Sequence, residues 1–213
     1  KFGKRNTLPF PTKSGIAGLL LCAMGASGEQ RELLKRFADM SCTVSSYIRK
    51  KRNTIMREPT LRDFHMVGSG YNDKDPWETM HIPKKSDGTA AVGGGTKMTY
   101  RYYLQDAYFA IVLQVPDDIA IIFEEALRQP MYDLYFGRKS CVPADYIYRG
   151  VYDKEEEAYK QIEEILDEKQ LIEDFRVLDG EFDNGDVLTL NDVPVQFGEN
   201  KKYRDRRVTV VQQ

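Results

Sequence analysis

The chain has 213 residues, with 31 Lys and Arg against 33 Asp and Glu, a formal net charge of −2, and 41% apolar and 11% aromatic side chains. That length and composition suffice to bury a core, as one large domain or two small ones, and exclude the collagenous, low-complexity and disordered classes. The longest apolar stretch, Ile16 to Met24, is about half of the roughly 20 residues a bilayer span needs, so no membrane partner is expected.

In chain order, Ser14 reads as the N-cap and Gly25 as the C-cap of a short buried helix. A second helix is expected over Glu29 to Met40, where Leu33, Leu34, Phe37 and Met40 repeat at helical spacing. Cys42 to Lys50 is extended in character, with Val44 and Ile48 on one face and Tyr47 and Arg49 on the other, and Leu61 to Val67 is a further strand. From Gly68 to Lys97 the pattern dissolves: six of the sixteen glycines lie there with Pro76 and Pro83, and such an excursion inside a compact domain is usually functional or disordered. Met98 to Val115 reads as a strand, a break around Gln105 and Asp106, and a fully buried strand over Tyr108 to Leu113. Pro116, Asp117 and Asp118 suit the first turn of a helix that reaches Gln129. Pro130 to Pro143 is a loop containing Gly137, Arg138, Lys139 and Ser140. Lys154 to Glu168 is an acidic amphipathic helix with Ala158, Ile162, Ile165 and Leu166 inward. Short strands follow, with a hairpin signal at Asp183 to Asp186 and a last strand over Arg207 to Val211. The order gives an α+β sandwich.

The near-neutral total hides a polarised chain. Residues 1–57 hold twelve basic and three acidic side chains, +9, whereas residues 151–192 hold four basic and fifteen acidic, −11. The densest basic run is Arg49, Lys50, Lys51 and Arg52, with Arg57 and Arg62 following and Tyr47 and Phe64 interleaved; a solvated hairpin tip and a nucleic-acid contact both fit it. Three cysteines without a C-x-x-C pair argue against a disulfide framework and against a structural zinc site, which suits a reducing cytoplasm; no metal or cofactor is expected. The chain does not begin with Met, and Pro9, Pro11 and the polar Thr12 to Ser14 precede the apolar run where a secretory signal would be basic.

Gly93 to Lys97 lacks the Walker spacing and precedes a strand, so it reads as a flexible loop, and Asp183 to Asp186 lacks a calcium ladder. Lys13, Ser14 and Gly15 at a helix start bring amides, the helix dipole and a lysine together, which suits a phosphate. His65, beside Asp63 and Arg62, reads first as a structural hydrogen-bonding group and otherwise as a general base for cleavage at a ribose 2′-hydroxyl.

Four segments then match in series: residues 10–20 (FPTKSGIAGLL), 61–65 (LRDFH), 99–107 (TYRYYLQDA) and 135–141 (YFGRKSC). In order and spacing they resemble the CasD-type, 5′-handle-binding RAMP subunits of type I-E CRISPR Cascade complexes. The resemblance implies a modified ferredoxin-like, RRM-related α+β fold in a single RAMP-type domain over 1–213, with a protruding β-hairpin thumb over about 68–97 and an acidic C-terminal part over about 151–213. It implies as partners the crRNA 5′ handle, a CasC-type backbone subunit, a CasA-type large subunit and target DNA near its PAM-proximal end. The chain lacks the family's opening strand and its GPxQSWG-like segment, so further residues at the N-terminus are expected.

Non-catalytic RNA binding is the expected function. Lys13, Ser14 and Gly15 and the loop Gly137, Arg138, Lys139 and Ser140 would hold phosphates, while Arg49, Arg52, Arg62, His65, Arg101 and Tyr102 would contact backbone or bases and Trp77, Met80, His81 and Ile82 would form the thumb tip. Two alternatives are open: a metal-independent crRNA-processing endoribonuclease as in subtype I-C, built on His65 with Lys97 or Arg101 and Tyr102, and a protein-interaction scaffold that works through the acidic second half.

Overall fold

The structure, a computed structural model, describes residues 3–49, 57–67, 74–76, 80, 84–89 and 97–212, with residues 67 and 97 described by their backbone alone. The chain divides into two compact units, Lys1–Pro9 with Glu58–Asp106 and Phe10–Arg57 with Ala107–Gln213. The first unit is thus broader than the excursion over 68–97 expected of a thumb.

In the first unit, β1 (Lys4–Arg5), β3 (Leu61–Val67) and β4 (Lys97–Tyr103) form a sheet in the order β1-β4-β3. β3 and β4 are antiparallel in continuous register from Leu61 opposite Tyr103 to Val67 opposite Lys97, and β1 lies parallel to β4. Runs rich in aromatic and β-branched residues favour such strands.

The second unit holds a five-stranded sheet in the order β5-β2-β6-β8-β7, made of β2 (Cys42–Arg49), β5 (Tyr108–Leu113), β6 (Leu171–Asp179), β7 (Asp186–Gln196) and β8 (Lys202–Gln212). One face carries α1 (Lys13–Ala23), α2 (Arg31–Ala38) and α3 (Asp117–Arg128), and the core between them contains Ile16, Leu20, Leu34, Phe37, Val44, Ile119, Val177 and Val208. Val44 pairs with Val177 on this face, and the next pair, Ser45 with Arg176, turns to the other, where Tyr159 of α4 (Glu155–Lys169) lies 5.0 Å from the Arg176 guanidinium. The sheet is therefore sandwiched. Ala158, Ile162, Ile165 and Leu166 face inward as the periodicity requires but are only half-buried. β5 is an edge strand and also half-buried, against the expectation of full burial.

Helix α1 begins two residues earlier than expected: Thr12, not Ser14, is the N-cap, its hydroxyl accepting the Gly15 N–H at 3.1 Å. Its C-terminus is a Schellman closure, with Gly25 at φ +67° donating to Cys22 O and Ala26 donating to Leu21 O. Asp183 to Asp186 turns as expected, but the strands it joins do not pair. β6 and β7 both pair with β8, which lies between them. The link therefore crosses β8 at Thr209, whose hydroxyl accepts from Phe182 N–H and donates to Gly180 O, both at 2.9 Å. Gly185 sits so close to β8 that a Cβ there would lie 2.3 Å from Val210 O, which excludes any other residue without a backbone shift.

The helices and the sheet meet in a buried charge network. The β7–β8 register shifts between Asn191 and Val193, so Asp192 is a bulge residue turned inward, 5% exposed. Its carboxylate accepts the Lys13 N–H at 2.8 Å, satisfying an orphan donor at the positive end of α1, and takes the Arg206 guanidinium with both oxygens at 2.8 and 2.9 Å. Arg206 also reaches Asp179 at 3.2 Å. Among the described residues no helix is long and apolar enough to cross a membrane.

Removing one partner from a buried ion pair costs more than the pair contributes, because the other charge stays buried. Asp192→Ala should lower unfolding stability by about 3 kcal/mol in urea titrations, since it strips Arg206 and the start of α1 together. Burial pushes the Cys42 thiol from its ordinary 9.0 up to about 12. Its protonated state therefore contributes stability in full below pH 9.0 that is lost as the pH rises towards about 12. Alkylation of native protein at pH 8 should spare Cys42 and reach it after unfolding, as peptide mass mapping would show.

Candidate nucleic-acid interface

Side chains alternate across a strand, so the register of β3 and β4 sorts the expected residues onto two faces. Arg62, Phe64 and Met66 share one face with Tyr102, Tyr100 and Met98; Asp63 and His65 share the other with Arg101 and Thr99. The expected group Arg62, His65, Arg101 and Tyr102 is therefore split in two. On the first face the Phe64 and Tyr100 rings stand 5.4 Å apart at 44°, the Arg62 guanidinium lies 5.5 Å from the Tyr100 ring, and the Lys4 ammonium lies 4.9 Å from the Tyr102 ring. Phe64, Tyr100, Met66 and Met98 are exposed at 48%, 38%, 54% and 55%.

On the second face His65 Nε2 lies 2.5 Å from Asp63 Oδ2, and the buried Nε of Arg101 has no hydrogen-bond partner among the described residues. Arg101 and His65 thus share a surface while Tyr102 points away from both, so the set expected of a nuclease is not assembled on one face.

In the second unit two expected segments do meet. Gly15 has no side chain, and the Phe136 ring occupies that space: a Cβ on Gly15 would lie 2.7 Å from Phe136 Cζ. This seats the loop Gly137 to Ser140 at the start of α1. Arg138 N–H bonds Phe136 O and Cys141 N–H bonds Arg138 O, Gly137 takes φ +72°, and Lys139 and Ser140 are exposed. Ser14 Oγ stands 3.2 Å from Thr12 Oγ1.

Lys13 requires a correction. It is 2% exposed, and its three ammonium protons are matched by Ala38 O at 3.0 Å, Met40 O at 2.6 Å and Asp179 Oδ2 at 3.2 Å. It closes the C-terminus of α2 from inside the protein, where no phosphate reaches it. Arg49, at the end of β2, is exposed and donates to the Tyr108 hydroxyl at 2.9 Å. Met80 is 62% exposed; Arg52, Trp77, His81 and Ile82 lie outside the described residues. Phe64, Tyr100 and Lys4 were not among the expected residues; aligning LRDFHM against MTYRYY at a period of two puts Phe64, Tyr100 and Arg62 on one face, whereas Lys4 joins them from β1.

The three-stranded sheet of one unit and the helix-covered sheet of the other define an α+β protein, as expected. The fold matches that of a chain in a "CRISPR RNA-guided surveillance complex" with a TM-score of 0.69 at 24% identity, covering 100% of this chain and 83% of that one. A second structure, "Crystal structure of Cas protein", matches with a TM-score of 0.55 at 20% identity over 97% of this chain and 82% of that one. Residues 1–209 match the model of the family described as CRISPR-associated protein (Cas_Cas5), and the chain belongs to that Cas5 family. It is 27% identical over 145 residues to the "CRISPR system Cascade subunit CasD" of Escherichia coli (strain K12), an alignment that takes in 65% of this chain and spans 58% of that protein's length.

Gly15→Ala should push Phe136 off the helix start and lower stability by about 1 to 2 kcal/mol, as forced overpacking does. The check is a thermal melt beside a Gly15→Ala, Phe136→Leu double variant, which removes the clash and recovers part of the loss.

Proposed function

We propose that this chain is a subunit of a Cascade-type CRISPR surveillance complex and that it holds the 5′ handle of the crRNA without cleaving it. The observation that carries this reading is the basic Gly137 to Ser140 loop, fixed at the N-terminus of α1 by Phe136 on Gly15 in a member of the Cas5 family. An exposed lysine and an exposed serine near a helix start suit phosphate oxygens. Ser14, Gly137, Arg138, Lys139 and Ser140 make up this phosphate site; Lys13 drops out of it, and Gly15, its N–H held by Thr12 Oγ1, serves as the seat of Phe136. Arg49, beside Tyr108, offers a second cation with an aromatic neighbour. The resemblance to type I-E subunits and the CasD relative support a place at the handle end of the complex, between CasC-type and CasA-type subunits and near the PAM-proximal target DNA.

Phosphate contacts by lysine and arginine release counterions and set the salt dependence of binding. Lys139→Ala and Arg138→Ala should each weaken binding of a handle-containing RNA and flatten the log K against log salt slope by about one. Fluorescence anisotropy at several salt concentrations reads both, and unchanged affinity and slope in both variants count against the assignment.

The Asp63 and His65 pair at 2.5 Å favours a second reading, metal-independent processing of crRNA with His65 as base. Incubation of the pure chain with repeat RNA decides between them: intact RNA is expected, whereas cleavage that is lost in His65→Ala replaces the first reading with the second.

A further inference from the structure

The face of the first unit's sheet formed by Lys4, Arg62, Phe64, Tyr100 and Tyr102 carries two cations and no carboxylate among its strand positions. A core face would be buried, and here Phe64 and Tyr100 are 48% and 38% exposed. Exposed rings flanked by guanidinium and ammonium groups, with no acid among these strand positions, complement a polyanion that itself carries flat apolar rings. Single-stranded nucleic acid has that chemistry. The cations already lie over the tyrosine faces, at 5.5 Å for Arg62 on Tyr100 and 4.9 Å for Lys4 on Tyr102, so a base stacked beside them brings its phosphate to a charge that is in place.

The same face lacks what base reading needs. Its strand positions hold no Asn, Gln, Asp or Glu, and tyrosine hydroxyls are its neutral polar groups. Side-chain amides and carboxylates distinguish base edges, whereas stacking accepts any base because every base has a π-face. Phe64 and Tyr100 face each other across the two strands and Tyr102 lies about 6.6 Å along the strand from Tyr100, so the ring-bearing part of the face accommodates about two bases.

Resting on the RNA-binding reading above, we infer that this face is a sequence-tolerant stacking platform for about two adjacent unpaired RNA bases, with Phe64 and Tyr100 as its rings and Arg62 and Lys4 as its phosphate partners. It is separate from the Gly137 to Ser140 loop, and it assigns to Phe64, Tyr100 and Lys4 a role in binding.

The test uses the full chain and fluorescein-labelled oligo-U, oligo-C and oligo-A in fluorescence anisotropy. Phe64→Leu and Tyr100→Leu, which keep apolar bulk at exposed positions and remove the ring, should each weaken binding about tenfold for all three oligomers with the salt slope unchanged. Phe64→Trp should bind at least as well as the parent, and Arg62→Ala should flatten the slope by about one. Circular dichroism melts equal to the parent's establish that the variants fold, and the Trp variant keeps the test open if a Leu variant does not. Ring-free variants within twofold of the parent, or a loss confined to one oligomer, overturn the inference while leaving handle binding intact. A parent chain that binds none of the oligomers and no handle RNA instead overturns the functional reading. Variants that bind RNA normally but no longer join the other complex subunits assign the face to a protein, and so also overturn the inference.

Discussion

The carboxylate of Asp192 fastens the second unit. A β-bulge places it where α1 begins, and from there it holds Lys13 N–H and both arms of Arg206, while Arg206 and the Lys13 ammonium converge on Asp179. Four elements, α1, β6, β7 and β8, are thereby joined through four charged side chains, and the Lys13 ammonium adds the end of α2 through Ala38 O and Met40 O. Two cations and two anions, Lys13 and Asp192 buried and Arg206 and Asp179 partly so, are neutral as a set and bonded to one another, which is the condition under which buried charge is tolerated. The network fixes the start of α1, and the start of α1 in turn fixes Gly15, Phe136 and the basic loop.

A different constraint organises the first unit: the period of two along β3 and β4. Because register is continuous over seven residue pairs, every chemical decision reduces to odd or even numbering. Even positions of β3 gather Arg62, Phe64 and Met66 into an apolar, cationic surface; odd positions gather Asp63 and His65 into a hydrogen-bonded one. A one-residue slip of β3 against β4 would put Asp63 and His65 on the same face as Tyr100 and Tyr102. The separation of a ring-bearing surface from a histidine surface is thus a property of register.

Local patterns were legible where local physics decides them. β3 over Leu61 to Val67 matches its expected bounds, and α3 and α4 lie within one or two residues of theirs, because hydrophobic period and terminal charge act within a few residues. The α1 cap moved from Ser14 to Thr12 because both hydroxyls stand within one turn of the helix start. What the sequence hid was non-local. The acceptors that bury Lys13 lie at Ala38, Met40 and Asp179, and its N–H is met from Asp192; no spacing rule connects them. The turn at Asp183 to Asp186 was visible, but its hairpin reading assumed that consecutive strands pair, whereas β8 inserts between β6 and β7. A bulge leaves no periodic trace, so Asp192 passed as one more acid in an acidic stretch.

That stretch changes the meaning of the charge asymmetry. A +9 front and a −11 rear suggest a basic surface and an acidic surface facing apart. Instead part of each is consumed against the other: Lys13 meets Asp179 at 3.2 Å, and Arg57 meets Asp174 at 2.8 Å, both inside the second unit. Arg36 is likewise paired with Asp118 and Arg31 with Glu29. The front's positive charge therefore overstates what a polyanion meets. Among the described residues, the cations that the proposed reading assigns to RNA are fewer: Lys4, Arg49, Arg62, Arg138 and Lys139. A salt slope measures phosphates neutralised and not residues counted, so the footprint proposed for this chain on RNA follows from that smaller set.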